Sequence, residues 1–385
     1  MDQEFNDIRP YLPEELPQVM EELLADEQFM GAVTRVVPDV KAKVQAFMAS
    51  SPGFTNLDVQ KAFFYPLMQH IITTCSAGID LSVPRGYDRL HPHTFITNHR
   101  DIVLDSAFLS FLLVENQFPT TVEIAIGDNL LIFPWIKKLV RINKSFIVQR
   151  SLPMRELLRA SQTMSRYMHY AIAEKHENIW IAQREGRAKD SDDRTQDSLL
   201  KMMAMGGDGS IIERLRQLHL TPMALSYEYD PCDFLKAKEF QQRRDITDFR
   251  KSKGDDLQSM QTGIFGQKGH IHFEAAPCID EWLDSLDPTT PKTELFPLIA
   301  QHIDREIHRN YRLYPGNLAA ADILAGGTRS TADQRATFED YISSRVAMAA
   351  NSLQAEGLQP DSVFLRERIL TMYANPVFNQ ERVKE

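Results

Sequence analysis

Cysteine is scarce in this 385-residue chain. Cys75, Cys232 and Cys278 are its only cysteines, and no two of them form a Cys-x-x-Cys pair. An odd number of scattered thiols argues against a disulfide framework. No spacing typical of a zinc site is present either.

Long apolar runs and an excess of positive charge are also missing. The longest largely apolar run, from Ala107 to Val114, is interrupted by Ser110 and falls far short of the roughly 20 residues that span a bilayer. The net charge of -10 disfavours nonspecific nucleic-acid binding as the main role. The acidic N-terminus has no apolar signal core, so we expect a cytoplasmic protein.

The pattern of apolar residues predicts three regions. Residues 1–80 and 326–385 have helical spacing, whereas residues 81–325 alternate short apolar strands with helical stretches. Such alternation predicts an α/β sheet. With 43% hydrophobic residues, the chain can build a large core.

Each of five predicted strands ends in a polar cluster. In open α/β sheets, ligands bind outside the carboxyl ends of the strands. If the strands share one direction, His99, Arg150, Arg187 and Lys189 line one crevice. The strands are Thr94 to Thr97, Val122 to Ile126, Phe146 to Val148, Ile179 to Ala182 and Met223 to Leu225.

His99 and Asp105 are candidates for a general-base pair. Asp101 suits the N-cap of a helix that begins at Ile102, and Asp105 then falls among apolar helix residues, where a carboxylate needs a partner. Asp105 would accept the Nδ1 proton, and His99 Nε2 would take a proton from a hydroxyl. The alternative is a histidine at a strand end and a solvated aspartate.

Arg150 and the loop at residues 184–189 offer cations that suit phosphate binding. Gly186 permits a tight turn there. The alternative is a solvated loop whose cations pair with the acidic residues that follow it. A His-x-His pair, His91 and His93, could indicate a metal site, but no clear set of ligands completes it, which favours two loop histidines.

The order of these motifs resembles the glycerolipid acyltransferase family, which includes glycerol-3-phosphate and lysophosphatidic acid acyltransferases. The likeness covers roughly residues 83–315. It is carried by Val83 to Leu90, by Ile96 to Asp105, by Gly127 and Phe146 to Ser151, by Glu185 to Lys189, by Thr221 to Glu228, and by His270 to Pro277.

The resemblance implies a mixed, mostly parallel sheet flanked by helices, with helical extensions at both ends. His99 and Asp105 would be the catalytic pair, and the acceptor would be bound by Arg150, Glu185, Gly186, Arg187 and Lys189. Two departures stand out: five residues instead of four separate His99 from Asp105, and the segment from Glu185 to Lys189 is one residue shorter than the family pattern.

The implied reaction moves a fatty acyl group from acyl-CoA or acyl-ACP, as co-substrate, to a hydroxyl, and it calls for no metal or other cofactor. Glycerol 3-phosphate, a lysophospholipid and an acylated amino acid all stay open as acceptors. We expect peripheral contact with the inner face of a membrane. The rival interpretation is a non-catalytic member of the fold that binds lipid or a partner. A hydrolase is less favoured, because no Gly-x-Ser-x-Gly elbow is present.

Overall fold

A seven-stranded sheet organises the molecule, which is described by a computed structural model over residues 3–35 and 37–384. The outermost residues of the two predicted helical regions, and residue 36, therefore lie outside the described part. The strand order is β1-β7-β6-β2-β5-β3-β4. The strands are β1 Gly78–Ser82, β2 Thr94–Thr97, β3 Val122–Gly127, β4 Ser145–Val148, β5 Asn178–Ala182, β6 Leu220–Tyr227 and β7 His270–Ala275.

The five strands from β6 to β4 run parallel, and β7 reverses direction against β6. Strand β1 lies parallel to β7 at the edge. The prediction of a mixed, mostly parallel sheet is thus confirmed. Because the five predicted strands share one direction, the polar clusters that follow them lie along one edge of the sheet.

Strand β1 was not predicted, and it begins inside the region expected to be helical. Its five residues are all half-buried, and its one neighbour is β7, with Gly78 opposite His270. A short edge strand has neither the apolar run of a central strand nor a clean alternation. The sequence therefore carries little signal for it.

The helices surround the sheet. None of those described is both long enough and apolar enough to cross a membrane. Their bounds are α1 Leu16–Ala25, α2 Glu27–Val33, α3 Val40–Ser50, α4 Asn56–Val59, α5 Tyr65–Cys75, α6 Leu104–Glu115, α7 Pro134–Ile142, α8 Met154–Ala173, α9 Asp197–Met203, α10 Ile211–Arg216, α11 Asp233–Asp245, α12 Lys253–Phe265, α13 Asp280–Asp284, α14 Lys292–Arg309, α15 Pro315–Ala325, α16 Ala332–Ala355 and α17 Ser362–Arg382.

Each face of the sheet buries its own apolar cluster. Ile96 and Ile181 point to the face covered by α8, α9 and α14, whereas Phe95 and Trp180 point to the face covered by α5 and α6. Alternate residues of a strand project to opposite faces, so both faces of these central strands are apolar. A third cluster joins α11 and α15 to α16 and α17, and a fourth joins α1 to α7.

Candidate active site

His99 and Asp105 form a hydrogen-bonded pair at the carboxyl end of β2. The His99 Nδ1 atom lies 2.8 Å from Asp105 Oδ2. A carboxylate only accepts, so Nδ1 carries the proton and Nε2 presents a lone pair. The His99 side chain is 13% exposed, whereas that of Asp105 is fully buried. A substrate hydroxyl can therefore reach the imidazole but not the carboxylate.

Asp105 is held by four donors in all. Its Oδ2 also accepts from the backbone N–H groups of Arg100, at 2.7 Å, and Asp101, at 3.1 Å. Its Oδ1 accepts from the Tyr227 hydroxyl at 2.9 Å. The carboxylate also lies in the first turn of α6, where the helix dipole favours negative charge. These contacts offset the cost of burying a charge and fix the imidazole orientation.

The extra residue between His99 and Asp105 is absorbed by a turn before α6. Asp101 Oδ1 accepts from the backbone N–H groups of Val103, at 2.9 Å, and Leu104, at 2.8 Å. The prediction that the helix begins at Ile102 is wrong, because α6 begins at Leu104. The prediction that Asp101 is the helix N-cap is also wrong, because Val103 is the N-cap and Asp101 accepts hydrogen bonds in the turn before the helix. The His99–Asp105 contact forms despite the longer spacing.

Asp101 is buried against α12. Burial and the neighbouring Asp105 charge raise the pKa of the Asp101 carboxyl, while its backbone hydrogen bonds oppose the shift. A side chain at Gly263 would place a Cβ atom 1.9 Å from Asp101 Oδ2. Glycine at this position therefore allows α12 to approach the active-site turn, and nothing in the sequence indicated this.

Two further side chains border the pair. The Trp180 ring packs edge-on against the His99 ring, with centroids 5.6 Å apart, and its buried Nε1 has no partner among the described residues. Asn98 ties β2 to β6 by exchanging two hydrogen bonds with the Leu225 backbone, at 2.9 and 2.7 Å. This link holds the residue before His99 in place.

A cationic cleft opens close to the pair, between the loop after β5 and helices α11 and α12. It lies near His99, because Lys236 Nζ donates to the Arg100 carbonyl at 3.4 Å and because Asp101 is close enough to Arg187 for their charges to interact. The cations that line it are Arg187, Lys189, Lys236, Lys238 and Lys251, and the carboxylates are Glu239 and Asp255.

All four of these lysines already have anionic partners. Lys189 lies 3.1 Å from Glu239, and Lys251 lies 2.8 Å from Asp256. Burial lowers the pKa of the Lys189 ammonium, and Glu239 opposes that shift. The buried Nη1 of Arg187 has no hydrogen-bond partner among the described residues. Arg187 is therefore the lining cation best placed to bind an incoming anion.

Arg150, Glu185 and Gly186 lie outside this cleft. Arg150 Nη1 is 3.3 Å from Glu185 Oε1, and both side chains are substantially exposed. Gly186 has a φ of +67°, as a tight turn after β5 requires. The structure thus brings together Arg187 with Lys189, and Arg150 with Glu185, as two separate groups.

Comparison with known proteins gives a family for the central region. The family model Acyltransferase matches residues 82–226, which include His99, Asp105, Arg150 and Arg187. Among solved structures, the 1-acyl-sn-glycerophosphate (LPA) acyltransferase PlsC from Thermotoga maritima is similar, with 11% identity, a TM-score of 0.33, and coverage of 65% of this chain and 80% of that chain. No curated protein matches.

The assignment rests on the family model and on the position of the motifs in the fold, since the structural similarity is too distant to add to it. The segments that end at Asp105, Ser151 and Lys189 follow the carboxyl ends of the parallel strands β2, β4 and β5, and Thr221 to Glu228 covers most of β6. Residues 82–226 therefore match an acyltransferase family model, in agreement with the resemblance that the order of the motifs carried.

Proposed function

We propose that this protein transfers a fatty acyl group from an acyl thioester, acyl-CoA or acyl-ACP, to the hydroxyl of a phosphate-bearing, glycerol-type acceptor. One observation carries the proposal: an oriented His99–Asp105 pair, with Nδ1 and Oδ2 2.8 Å apart, lies beside a cationic cleft. The pair supplies a general base, and the cleft supplies a site for the acceptor's negative group.

In this reaction, His99 Nε2 removes the proton from the acceptor hydroxyl while Asp105 stabilises the imidazolium that forms. The oxygen attacks the thioester carbonyl, and the tetrahedral intermediate collapses with loss of the thiolate. The thiolate then takes the proton back from His99. The thioester supplies the acyl group, and no step requires an additional cofactor.

The acceptor's phosphate would sit in the cationic cleft against Arg187. A guanidinium binds two phosphate oxygens at once, which fixes orientation as well as position. Holding the phosphate would place the neighbouring hydroxyl at His99, and such positioning lowers the entropic part of the barrier. The choice among glycerol 3-phosphate, lysophosphatidic acid and a phosphate-free acceptor is decided by offering each one with an acyl thioester and identifying the lipid formed. We expect the phosphate-bearing acceptors to be used best.

Substitution of Arg187 should mainly affect use of the acceptor. A hydrogen bond to a charged group contributes about 1.5–3 kcal/mol, so we expect Arg187→Ala to raise the KM for the acceptor roughly 10-fold to 100-fold. The KM for the thioester should change much less. We expect a smaller effect from Arg150→Ala, since Arg150 is solvent-exposed and paired with Glu185.

Arg216→Ala is a matched control, because Arg216 is an exposed arginine paired with Asp284 on another side of the molecule. It should leave both KM values unchanged. An unaltered acceptor KM in a folded Arg187→Ala protein would place the acceptor site elsewhere.

A lipid substrate also requires contact with a membrane surface, and the start of α8 suits this role. Met154 and Leu158 are 81% and 57% exposed and lie one turn apart, next to the exposed Arg155 and Arg159. The helix follows β4 and Arg150, so this surface borders the carboxyl edge of the sheet. Apolar side chains flanked by arginines bind anionic lipid surfaces peripherally.

We expect the purified protein to bind anionic vesicles reversibly and zwitterionic vesicles more weakly. Replacement of Met154 and Leu158 by serine should reduce vesicle binding on the order of tenfold, because two apolar side chains no longer enter the interface. Val363→Ser, at a residue that is 80% exposed on α17, serves as the control and should bind like the original protein. Equal vesicle binding by the double variant and this control would argue against α8 as the contact surface.

A further inference from the structure

A second group of reactive side chains lies at the opposite edge of the sheet from His99. His219 precedes β6, whereas Cys278 and Asp280 follow β7. Within the described residues, these three form the one such group whose candidate metal-ligand atoms all lie within 4.8 Å of one another. Thr94 at the start of β2 pairs with Leu220 at the start of β6, so the length of β2, about 13 Å, separates this group from His99.

One oxygen atom of this group lacks a hydrogen-bond partner. Asp280 Oδ2 lies 2.6 Å from His219 Nδ1, but the other carboxylate oxygen, Oδ1, is buried with no partner among the described residues. His219 has a φ of 47°, a left-handed conformation that histidine adopts more often than most other non-glycine residues.

His91 adds a fourth candidate ligand. Its ring packs edge-on against that of His219, with centroids 4.1 Å apart. The Nδ1 atom of His91 lies 3.1 Å from the Pro92 carbonyl, which can only accept, so Nδ1 carries the proton and Nε2 presents its lone pair. Metal-bound histidines commonly donate their other ring N–H to a backbone carbonyl in this way.

His93, the other half of the His-x-His pair, is not available. Its Nε2 lies 3.3 Å from the Asp88 carbonyl, and its Nδ1 lies 3.0 Å from the Thr221 hydroxyl. His93 is thus hydrogen-bonded at both ring nitrogens. His91 is hydrogen-bonded at Nδ1, and its Nε2 is left to bind a metal ion. The residues that would complete a metal site with His91 are His219, Cys278 and Asp280, which lie more than 120 positions further along the chain.

We propose that His219, Cys278, Asp280 and His91 bind one Zn²⁺ ion. A thiolate, imidazole nitrogens and a carboxylate oxygen are the ligands zinc takes in tetrahedral sites, and bond lengths near 2.0–2.3 Å place such ligands about 3.3–3.8 Å apart. A contraction of about an ångström brings His219, Cys278 and Asp280 to that geometry, and His91, which lies outside the 4.8 Å group, must shift toward them to complete it. The ion would also satisfy the unpartnered oxygen of Asp280.

Such an ion would be structural. It would join the loop before β2, the residue before β6 and the segment after β7, three segments that meet where β6 and β7 run antiparallel. All four protein ligands would be engaged, which leaves no open position for a substrate. The proposed acyl transfer takes place at the other edge of the sheet and does not require this ion. Assays of acyl transfer therefore do not test the zinc site.

The test uses the full-length protein, freed of metal with a chelator and titrated with Zn²⁺ alone. We expect one equivalent of Zn²⁺ to bind and to raise the thermal midpoint of unfolding, because a ligand that binds only the folded state stabilises it. Co²⁺ in its place should give a sulfur-to-cobalt charge-transfer band and the strong visible bands of a tetrahedral site. Zn²⁺ should then displace it.

Two variants and two controls make the result specific. Cys278→Ser should abolish the charge-transfer band, and His219→Asn should weaken Zn²⁺ binding about tenfold or more, while asparagine tolerates the left-handed backbone. His91→Gln, on an exposed loop, serves if either variant fails to fold, and should also weaken binding. Cys75→Ser and His70→Asn, at residues remote from the group, should bind as the original protein does. The proposal would be overturned if Zn²⁺ did not bind stoichiometrically, or if the charge-transfer band persisted in Cys278→Ser. The group would then be only a His219–Asp280 hydrogen bond.

Discussion

His99→Ala should reduce acyl transfer by roughly 10²-fold to 10⁴-fold, the range expected for loss of a general base. The fold should survive the change. Asp105 retains the Arg100 and Asp101 backbone donors and the Tyr227 hydroxyl, so its buried charge is not left without partners. The kcat for transfer should therefore fall while the thermal midpoint stays close to that of the original protein.

His70→Ala, at an exposed histidine on α5, provides the matched control and should turn over normally. Thermal unfolding and circular dichroism separate a chemical effect from a folding defect. Near-normal turnover by a folded His99→Ala protein would end the proposed mechanism.

Asp105→Asn should also cause a large loss, up to about 10⁴-fold, as in hydrolases whose triad aspartate is replaced by asparagine. The amide oxygen can take over the backbone donors of Arg100 and Asp101, and the amide nitrogen can donate to the Tyr227 hydroxyl. The shape is thus preserved. What disappears is the negative charge that stabilises the imidazolium.

Asp101→Asn is the control for this experiment, since Asp101 is the other carboxylate that lies close to His99 in the sequence. Asparagine keeps the oxygen that accepts from Val103 and Leu104 and caps about as well as aspartate. Transfer rates and thermal midpoints of the two variants should therefore differ sharply. An inactive, well-folded Asp101→Asn protein beside an active Asp105→Asn protein would show that the dyad is wrongly assigned.

The parallel strands were predictable because their signal is local. Each is a short apolar run that ends in polar residues, and a shared direction for these runs places His99 and Arg187 at one edge. Strand β1 was missed because a half-buried edge strand has neither a continuous apolar run nor a clean alternation of apolar and polar residues. The domain boundaries at residues 80 and 325 stay predictions.

Much of the site depends on contacts between distant parts of the chain. Trp180 reaches His99 because Trp180 is paired with Phe95 across β5 and β2, a register that one sequence does not reveal. Lys236 and Lys238 enter the cationic cleft from α11, and Gly263 admits α12, all beyond the family-matched region. The separation of Arg150 from Arg187 likewise follows from the strand order, in which β3 lies between β4 and β5.

The most direct test of the central claim is acceptor-dependent release of thiol from an acyl thioester by the purified protein. We expect one thiol released for each acyl ester formed on a phosphate-bearing glycerol acceptor, and loss of both products in His99→Ala. Thiol release that proceeds equally without acceptor would indicate a hydrolase. Lipid binding with no release under any acceptor would indicate a non-catalytic member of the fold, and either result would contradict the account.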